Sequence, residues 1–335
     1  MRHTKIIAEA GVNHNGNLVV AKELIDAANA VGADYIKFQT YTTGKIVSHT
    51  ARKAIYQTKN TGSDDSQMNM LKRLELSTGA FIQLHAYCQS QGIAFFSTAF
   101  DNDSVNFLHQ LDLGLWKIPS GEITNLPYLI KIAAYHQPVL MSTGMSTMKE
   151  VEEAVKVLRS NGCDDITLLH CTTEYPAPYD DVNLKAMISM RDRFQLPVGY
   201  SDHTMGIEVP IAAVALGATV IEKHLTLDRT MDGPDHKASL EPQEFADMVK
   251  AIRHIEAAMG DGIKQPSMSE MNNILVARKS IVANRTINKG ENFTAENLAV
   301  KRPGSGISPM RWYEILGLAS DRDYQEDEEI LWPTV

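Results

Sequence analysis

Cysteine is scarce in this chain of 335 residues, which contains only Cys88, Cys163 and Cys171. Three thiols so far apart in sequence are too few for a disulfide framework or a cysteine-ligated zinc site. The sequence also has no run of about 18 apolar residues, and its first residues lack the long apolar core of a signal peptide. These absences predict a soluble, cytoplasmic protein without a membrane-spanning segment.

Basic residues are outnumbered by acidic ones. The 32 Lys and Arg residues face 41 Asp and Glu residues, which gives a net charge of -9 with His neutral. This balance, without any basic stripe, argues against a nucleic-acid or anionic-membrane partner. Dinucleotide and P-loop fingerprints are also missing, because the glycine-containing stretches 16–18 and 302–306 lack the required spacing and strand context. An anionic substrate must therefore be held by local groups.

The chain does contain a repeated pattern of strands and helices. Short β-favouring runs alternate with amphipathic helical stretches, and 44% of the residues are hydrophobic, which is enough for a large core. The eight runs cover residues 5–10, 33–40, 92–99, 115–121, 138–144, 165–172, 196–204 and 218–226. Eight such units over about 250 residues predict an α/β fold, the (β/α)8 or TIM barrel.

Polar residues that can bind a metal or transfer a proton lie at or just after the carboxyl end of each predicted strand. Residues two apart on an extended backbone point the same way, so Ser201 pairs with His203, and Glu222 with His224. The others include Glu9, Lys37, Gln39, Thr98, Lys117, Ser120, Glu122, Ser142 and His170. These residues lie at the carboxyl ends of the predicted strands, which is the face that carries the active site in TIM barrels. A doubly wound sheet would instead concentrate its ligands at one switch point.

The pattern changes near residue 260. Residues 260–267 are rich in Gly, Pro and Ser, and beyond residue 279 short β runs alternate with turn residues. We assign residues 1–262 to the barrel, 263–278 to a linker and 279–335 to a small second domain. A domain of this size is marginal alone and is expected to pack on something.

Several short segments, in their order and spacing, resemble the sialic acid synthase family, which includes the legionaminic acid synthases. They are Ile7-Ala-Glu-Ala-Gly-Val-Asn-His-Asn-Gly16, Ile36-Lys-Phe-Gln-Thr40, Lys117-Ile-Pro-Ser-Gly-Glu122, Ser142-Thr-Gly-Met145, Tyr175-Pro-Ala-Pro178, Ser201-Asp-His-Thr204, Glu222-Lys-His224 and Gly233-Pro-Asp235. Residues 300–308 resemble the antifreeze-protein-like (SAF, β-clip) domain that ends those enzymes. The resemblance spans nearly the whole chain.

The resemblance implies an activity and an assembly. Phosphoenolpyruvate would condense with an open-chain N-acetylated amino sugar, N-acetylmannosamine, to give a sialic acid and phosphate by C–O cleavage. The implied cofactor is a divalent metal, Mn2+ first, with Mg2+ and Co2+ as alternatives. The implied assembly is a domain-swapped homodimer.

His203 and His224 are the predicted metal ligands. One histidine at a strand end is more often a hydrogen-bonded structural residue than a ligand. Two that converge on one barrel mouth, together with oxygen ligands from water or substrate, suit a divalent ion that activates the aldehyde. The resemblance assigns the same role to both.

Lys37 and Lys117 are predicted to point into the same mouth. They could be barrel-core ion-pair partners, or one could form a Schiff base as in an aldolase. The resemblance instead assigns both to phosphoenolpyruvate. It adds hydroxyl groups to that subsite from Thr98, Ser120, Ser142 and Ser201.

The remaining assignments concern proton transfer and the sugar. Glu9 and Glu122 resemble the catalytic carboxylates, Glu122 at the enol carbon and Glu9 near the sugar hydroxyls. Gln39, Tyr175, Asp235 and Arg302 match sugar-binding positions, with Arg302 reaching from the partner chain's small domain.

Thr173 departs from the family pattern, since some members carry asparagine there. A threonine cannot offer an amide donor and acceptor together, which keeps a diacetamido sugar, and hence a legionaminic acid synthase, as the alternative. A non-catalytic carbohydrate- or ice-binding protein is the remote alternative.

Overall fold

The structure is a computed structural model that describes residues 3–63 and 65–333. The chain divides between Gly260 and Asp261 into two units, each with its own core. None of the helices within these described ranges is long and apolar enough to cross a membrane.

The first unit is built on a parallel sheet of eight strands, counted over the described residues. They are β1 Lys5–Gly11, β2 Tyr35–Thr40, β3 Ala94–Ala99, β4 Trp116–Ile118, β5 Val139–Ser142, β6 Ile166–Cys171, β7 Val198–Asp202 and β8 Val220–His224. The hydrogen-bonded order is β3-β2-β1-β8-β7-β6-β5-β4, and the terminal strands β3 and β4 pack side by side. The sheet therefore closes into the predicted TIM barrel.

Helices follow the strands along the chain. They are α1 Leu18–Ala30, α2 Thr43–Ile46, α3 Ile55–Thr61, α4 Gln67–Leu74, α5 Thr78–Gln91, α6 Asn102–Gln110, α7 Leu126–Ala133, α8 Met148–Ser160, α9 Lys185–Phe194, α10 Glu208–Ala215 and α11 Pro242–Ala258. The apolar faces of α1 and of α5 to α11 bury the outward-facing strand residues in one continuous core, to which β1 contributes Ile6 and Ala8.

The barrel interior is layered. Ile7, Phe96, Leu140, Leu169 and Val220 form a buried apolar cluster of their own inside it. Because side chains alternate along a strand, the inward-facing residues two positions later come next toward the carboxyl ends. Those residues are Glu9, Thr98, Ser142, Cys171 and Glu222. An apolar floor thus carries a polar layer above it.

The segment after β2 differs from its prediction. The sequence is polar up to residue 66 and has a helical pattern over about 68–90, which predicts one loop and one helix. The structure instead has α2 and α3 in the loop and a break between α4 and α5. The break has a local cause. The Ser77 hydroxyl caps α5 at the amide of Ala80, and the Glu75 carboxylate accepts hydrogen bonds from the amide and hydroxyl of Thr43.

The second unit contains a helix that the sequence analysis missed. Helix α12, Met268–Ala277, lies in the stretch predicted as a linker, and a capping box of Ser267 and Glu270 begins it. The amide of Gly304 donates to the carbonyl of Leu275 (2.8 Å), which ties α12 to the rest of this unit. Strands β9 Ser280–Ala283 and β10 Leu298–Lys301 pair antiparallel, and α13 Trp312–Ile315 follows them.

Candidate active site

A cavity of about 380 Å3 opens at the carboxyl ends of the barrel strands. Every predicted site residue lines it except Glu122 and Arg302. The residues it brings together are Glu9, Lys37, Gln39, Thr98, Lys117, Ser120, Ser142, Thr173, Tyr175, Ser201, His203, His224 and Asp235. Glu222 and Cys171, outside that predicted set, complete the polar floor.

Glu222 is the centre of a buried charge cluster. Its carboxylate lies 3.0 Å from the ammonium of Lys37 and 3.3 Å from that of Lys117, and it accepts a hydrogen bond of 2.9 Å from Ser201. Lys37 also pairs with Glu9 at 3.2 Å. All four charged side chains are at most 5% exposed. Charges this deep persist only when they are paired, and here each ammonium has a carboxylate.

The pKa values of Glu222 and Glu9 shift in opposite directions, since Glu222 pairs with two lysines and Glu9 with only one. Burial would raise the pKa of Glu222, but Lys117 and Lys37 hold it well below its usual range. Burial raises the pKa of Glu9 to about 7 against the opposing effect of Lys37, and the nearby Glu222 carboxylate adds to the rise. Lys117 has its pKa lowered by burial. The cavity therefore holds one firmly ionised carboxylate and one that can exchange a proton near neutral pH.

His203 and His224 lie on neighbouring strand ends, with ring centroids 5.5 Å apart. Burial lowers the pKa of His203 to about 4 and that of His224 well below its usual value, so both imidazoles are neutral at pH 7. The Nδ1 of His203 donates to the carbonyl of Thr172 at 2.6 Å, which leaves its Nε2 with a lone pair. The Nδ1 of His224 is buried without a hydrogen-bond partner.

These two imidazoles fit a catalytic metal. Over residues 3–63 and 65–333, no group of three or more His, Cys, Asp or Glu side chains could hold an ion. The protein would thus supply two neutral nitrogen ligands, and substrate or water oxygens would supply the others. An incomplete protein ligand set is the arrangement of an open catalytic site rather than of a closed structural one.

A second buried ion pair lies next to these histidines along the chain. Lys223 donates to Asp202 at 2.6 Å, and neither side chain is exposed. Asp202 also accepts hydrogen bonds from the amide and hydroxyl of Thr204. Asp202 directly precedes His203, and Lys223 directly precedes His224. The ion pair therefore joins the two strand ends that carry the imidazoles.

Hydroxyl groups line the cavity, and one of them contacts the ammonium of Lys117. Ser142 accepts its hydrogen bond at 2.7 Å. The hydroxyls of Thr98 and Thr173 are buried without hydrogen-bond partners although both residues line the cavity. Unpaired buried hydroxyls in a native cavity mark positions where a bound ligand can complete their hydrogen bonds.

Glu122 and Arg302 are the predicted residues outside the cavity lining. Strand β4 ends at Ile118 and the 3-10 turn Ser120–Glu122 follows it, so Glu122 lies beyond the extended backbone. The carboxylate of Glu122 accepts a 2.5 Å hydrogen bond from Asn125. Arg302 belongs to the second unit, where its Nε donates to the carbonyl of Ala277.

Sequence reasoning placed Glu222 beside His224 at the strand ends but assigned it no role. Tyr56 and the side chains of α4 were missed, because they come from a segment without strand periodicity.

Comparison with known proteins agrees with this geometry. The NeuB family pattern matches residues 24–264, and the SAF domain pattern matches residues 278–335. An N,N'-diacetyllegionaminic acid synthase of Campylobacter jejuni is 56% identical over 332 residues, covering 98% of this chain and 99% of that one. A synthase of the same name from Legionella pneumophila is 47% identical over 331 residues, covering 98% and 93%.

A solved structure is also similar to most of this chain. The N-acetylneuraminic acid synthetase of Leptospira borgpetersenii, crystallised with citrate, shares 36% identity and a TM-score of 0.71, covering 81% of this chain and 90% of that one. With family matches in both parts of the chain and close relatives along almost its whole length, the chain belongs to the NeuB family of sugar-acid synthases.

Proposed function

We propose that this enzyme condenses phosphoenolpyruvate with an open-chain diacetamido sugar, giving a legionaminic acid and phosphate. One observation carries the proposal: the cavity combines two buried ammonium groups with two neutral imidazoles. The first pair suits a phosphorylated, carboxylated enol, and the second suits a metal that binds an aldehyde. The names of the two similar synthases favour the diacetamido sugar over N-acetylmannosamine, and synthase relatives argue against a non-catalytic binding protein.

Phosphoenolpyruvate would bind at the polar floor. Lys37 and Lys117 provide the positive charge, and Ser142 and Ser201 already contact Lys117 and Glu222. The unpaired hydroxyl of Thr98 offers a further donor, and Ser120 lies on the same wall. Because these groups are buried, their interaction with the phosphate and carboxylate is weakly screened by water.

His203 and His224 would hold the divalent ion, for which we propose Mn2+. An ion bound there would act as a Lewis acid on the aldehyde oxygen. The chain's own contribution is to keep both imidazoles neutral and oriented: the carbonyl of Thr172 fixes the tautomer of His203, and Tyr175 packs over its ring at a centroid distance of 4.1 Å.

Glu9 is our candidate for proton transfer. Attack of the enol carbon C3 on the aldehyde carbon forms a C–C bond and leaves an oxygen that needs one proton. Water then adds at C2 and must lose one. A carboxyl group with a pKa near 7 can give the first proton and take the second, so it returns to its starting state. The C2–O bond to phosphate then breaks, and the hydroxyl proton leaves with the phosphate.

The family resemblance assigns the water step to Glu122, although its carboxylate is held by Asn125 outside the cavity lining. The two carboxylates can be compared directly. Glu9→Gln should lower kcat by roughly 100-fold or more, on the scale of a general acid-base group, whereas Glu122→Gln should lower it by about 10-fold or less. A large loss in Glu122→Gln with little loss in Glu9→Gln would transfer the role to Glu122.

The sugar would lie beyond the imidazoles. Gln39 donates to Glu9 at 3.2 Å, and Asp235, Tyr175 and Thr173 line the same cavity. From the family resemblance we propose that Arg302 of a neighbouring chain completes this subsite in a domain-swapped homodimer in the cytoplasm.

The test is phosphate release from phosphoenolpyruvate with each amino sugar, together with mass analysis of the product. We expect turnover with the diacetamido sugar, loss of turnover in Lys117→Met, and wild-type turnover in Lys149→Met, whose side chain is 84% exposed on α8. Preference for N-acetylmannosamine would identify a sialic acid synthase instead. Absence of phosphate release with both sugars and Mn2+ would contradict the proposed chemistry.

A further inference from the structure

One side of the cavity is apolar, in contrast with its charged floor. Its side chains come from Val12 after β1, Phe100 after β3, and Met70, Leu71 and Leu74 of α4. We call these five residues the apolar wall. They pack together with Tyr41 and Ile46 in a small hydrophobic cluster separate from the main core. The apolar wall is therefore a packed surface supported by Tyr41 and Ile46 rather than a set of isolated exposed side chains.

Polar groups border the apolar wall. Tyr56, Gln57 and Gln67 line the same cavity, and Gln67 lies one helical turn before Leu71 on α4. The side-chain oxygen of Gln57 accepts from the amide of Ala54, which leaves its NH2 group as a donor. Asn60 fixes this segment by donating to the carbonyls of Tyr175 (3.2 Å) and Pro234 (2.7 Å).

Contacts between aromatic rings lead from His203 through Tyr175 to Tyr56. The ring of Tyr175 lies 4.1 Å from that of His203, and the ring of Tyr56 lies 4.9 Å from that of Tyr175. An open chain of six carbons, with bonds of about 1.5 Å, spans roughly 6 Å. A sugar whose aldehyde lies at the imidazoles would extend past Tyr175 toward Tyr56, which lines the same cavity as the apolar wall.

The chemistry of the sugar's far half matches this surface. A second acetamido group replaces a hydroxyl by an amide and a methyl. The amide needs hydrogen-bonding partners, which the side chains of Gln57 and Gln67 can provide. The methyl needs apolar contact, which Met70 and Leu71 offer. A hydroxyl at the same position could still bond to a glutamine, but it would leave the apolar contacts of Met70 and Leu71 unfilled.

We propose that the apolar wall and its glutamine border bind the second acetamido group and thereby select a diacetamido sugar over a monoacetamido one. The inference rests on the proposed function and assigns its sugar specificity to named residues. One methylene in an apolar pocket changes kcat/KM by roughly 10- to 200-fold, so a lost methyl contact should be measurable.

The measurement is kcat/KM for the diacetamido sugar and for N-acetylmannosamine, with KM for phosphoenolpyruvate as an independent readout. Leu71→Gln should lower the ratio of the two kcat/KM values by roughly 10-fold or more while KM for phosphoenolpyruvate stays the same. Leu71→Met should keep the ratio. Ile82→Gln is the matched control, because Ile82 is an exposed apolar residue on α5.

Gln67→Leu provides a second variant if Leu71→Gln does not fold, because it removes the amide and leaves the wall intact. It too should lower the ratio. An unchanged ratio in the folded variant, or an equal loss with both sugars, would overturn the inference. Wild-type enzyme that turns over N-acetylmannosamine in preference to the diacetamido sugar would refute the proposed function, and this is a distinct result because it precedes any substitution.

Discussion

Replacing Lys223 tests how the barrel holds the strand ends that carry its two imidazoles. The ammonium of Lys223 lies 2.6 Å from the carboxylate of Asp202 and 2.5 Å from the carbonyl of Thr204, with no exposure to solvent. Methionine keeps most of the stem but removes the charge. Lys223→Met would therefore leave a buried carboxylate with no cation beside it.

The expected cost follows from that burial. Breaking a buried pair by removing one partner costs about 3–5 kcal/mol. For a unit of this size about 2–4 °C of Tm corresponds to 1 kcal/mol, so the Tm should fall by roughly 6–20 °C. Asp202→Asn combined with Lys223→Met should regain part of the loss, because the amide oxygen can still accept from Thr204 and no charge is left unpaired.

The assay is urea unfolding at 25 °C with thermal unfolding beside it. Lys149→Met is the control, since Lys149 pairs with Glu153 at 3.9 Å and both side chains are more than 60% exposed. Such a pair contributes about 0–1 kcal/mol. A loss below about 1 kcal/mol in Lys223→Met, no larger than in the control, would show that the buried pair does not hold the strand ends.

Three further predictions concern the metal, one carboxyl group and the assembly. His203→Ala or His224→Ala should abolish Mn2+ binding, measured by calorimetry, while far-ultraviolet circular dichroism stays unchanged; unchanged affinity would contradict the ligand assignment. Burial raises the pKa of Asp235 to about 7, so its stabilising contribution, present at low pH, is lost as pH rises through 7. In metal-free protein, Asp235→Asn should therefore gain stability relative to wild type between pH 4 and pH 8, on the order of 4 kcal/mol at most; no relative gain would contradict that pKa. Mixed Arg302→Ala and His203→Ala chains should regain activity in a hybrid dimer, and continued inactivity after demonstrated subunit exchange would exclude the swapped arrangement.

The barrel and most of its site could be predicted because both depend on local alternation. A strand that buries Ile7 inside the barrel must also point Glu9 inward, and the same rule places Glu222 and His224 together. The ends of parallel strands share one face, so residues distant in sequence converge without any knowledge of contacts.

Glu122 shows where that reasoning ends. The alternation holds only while the backbone stays extended, and the chain leaves the extended conformation after Ile118. The 3-10 turn that follows changes the direction of each side chain, and Asn125 then captures the carboxylate of Glu122. A turn of three residues has too weak a sequence signal to be predicted from local pattern.

The segment after β2 could not be predicted for a different reason. Its short helix α3 has no fully buried residue and is held by Asn60, whose partners lie 115 and 174 residues away. No local pattern encodes such contacts, because they form only once the barrel has brought the loops together. Loops on a rigid scaffold often carry specificity, and here that segment supplies Met70, Leu71 and Leu74 of the apolar wall.

Glu222 explains how the proposed phosphoenolpyruvate site can be formed before the substrate binds. Two lysines buried in one cavity would each favour losing a proton, since burial and mutual repulsion both disfavour the charged form. The carboxylate between Lys37 and Lys117 opposes both effects. Burial alone would lower the pKa of Lys37, but the Glu222 and Glu9 carboxylates raise it above its usual value, whereas burial keeps the pKa of Lys117 lowered. Ser142 and Glu222 orient the Lys117 side chain, so an incoming trianion would meet a charged Lys37 and a positioned Lys117.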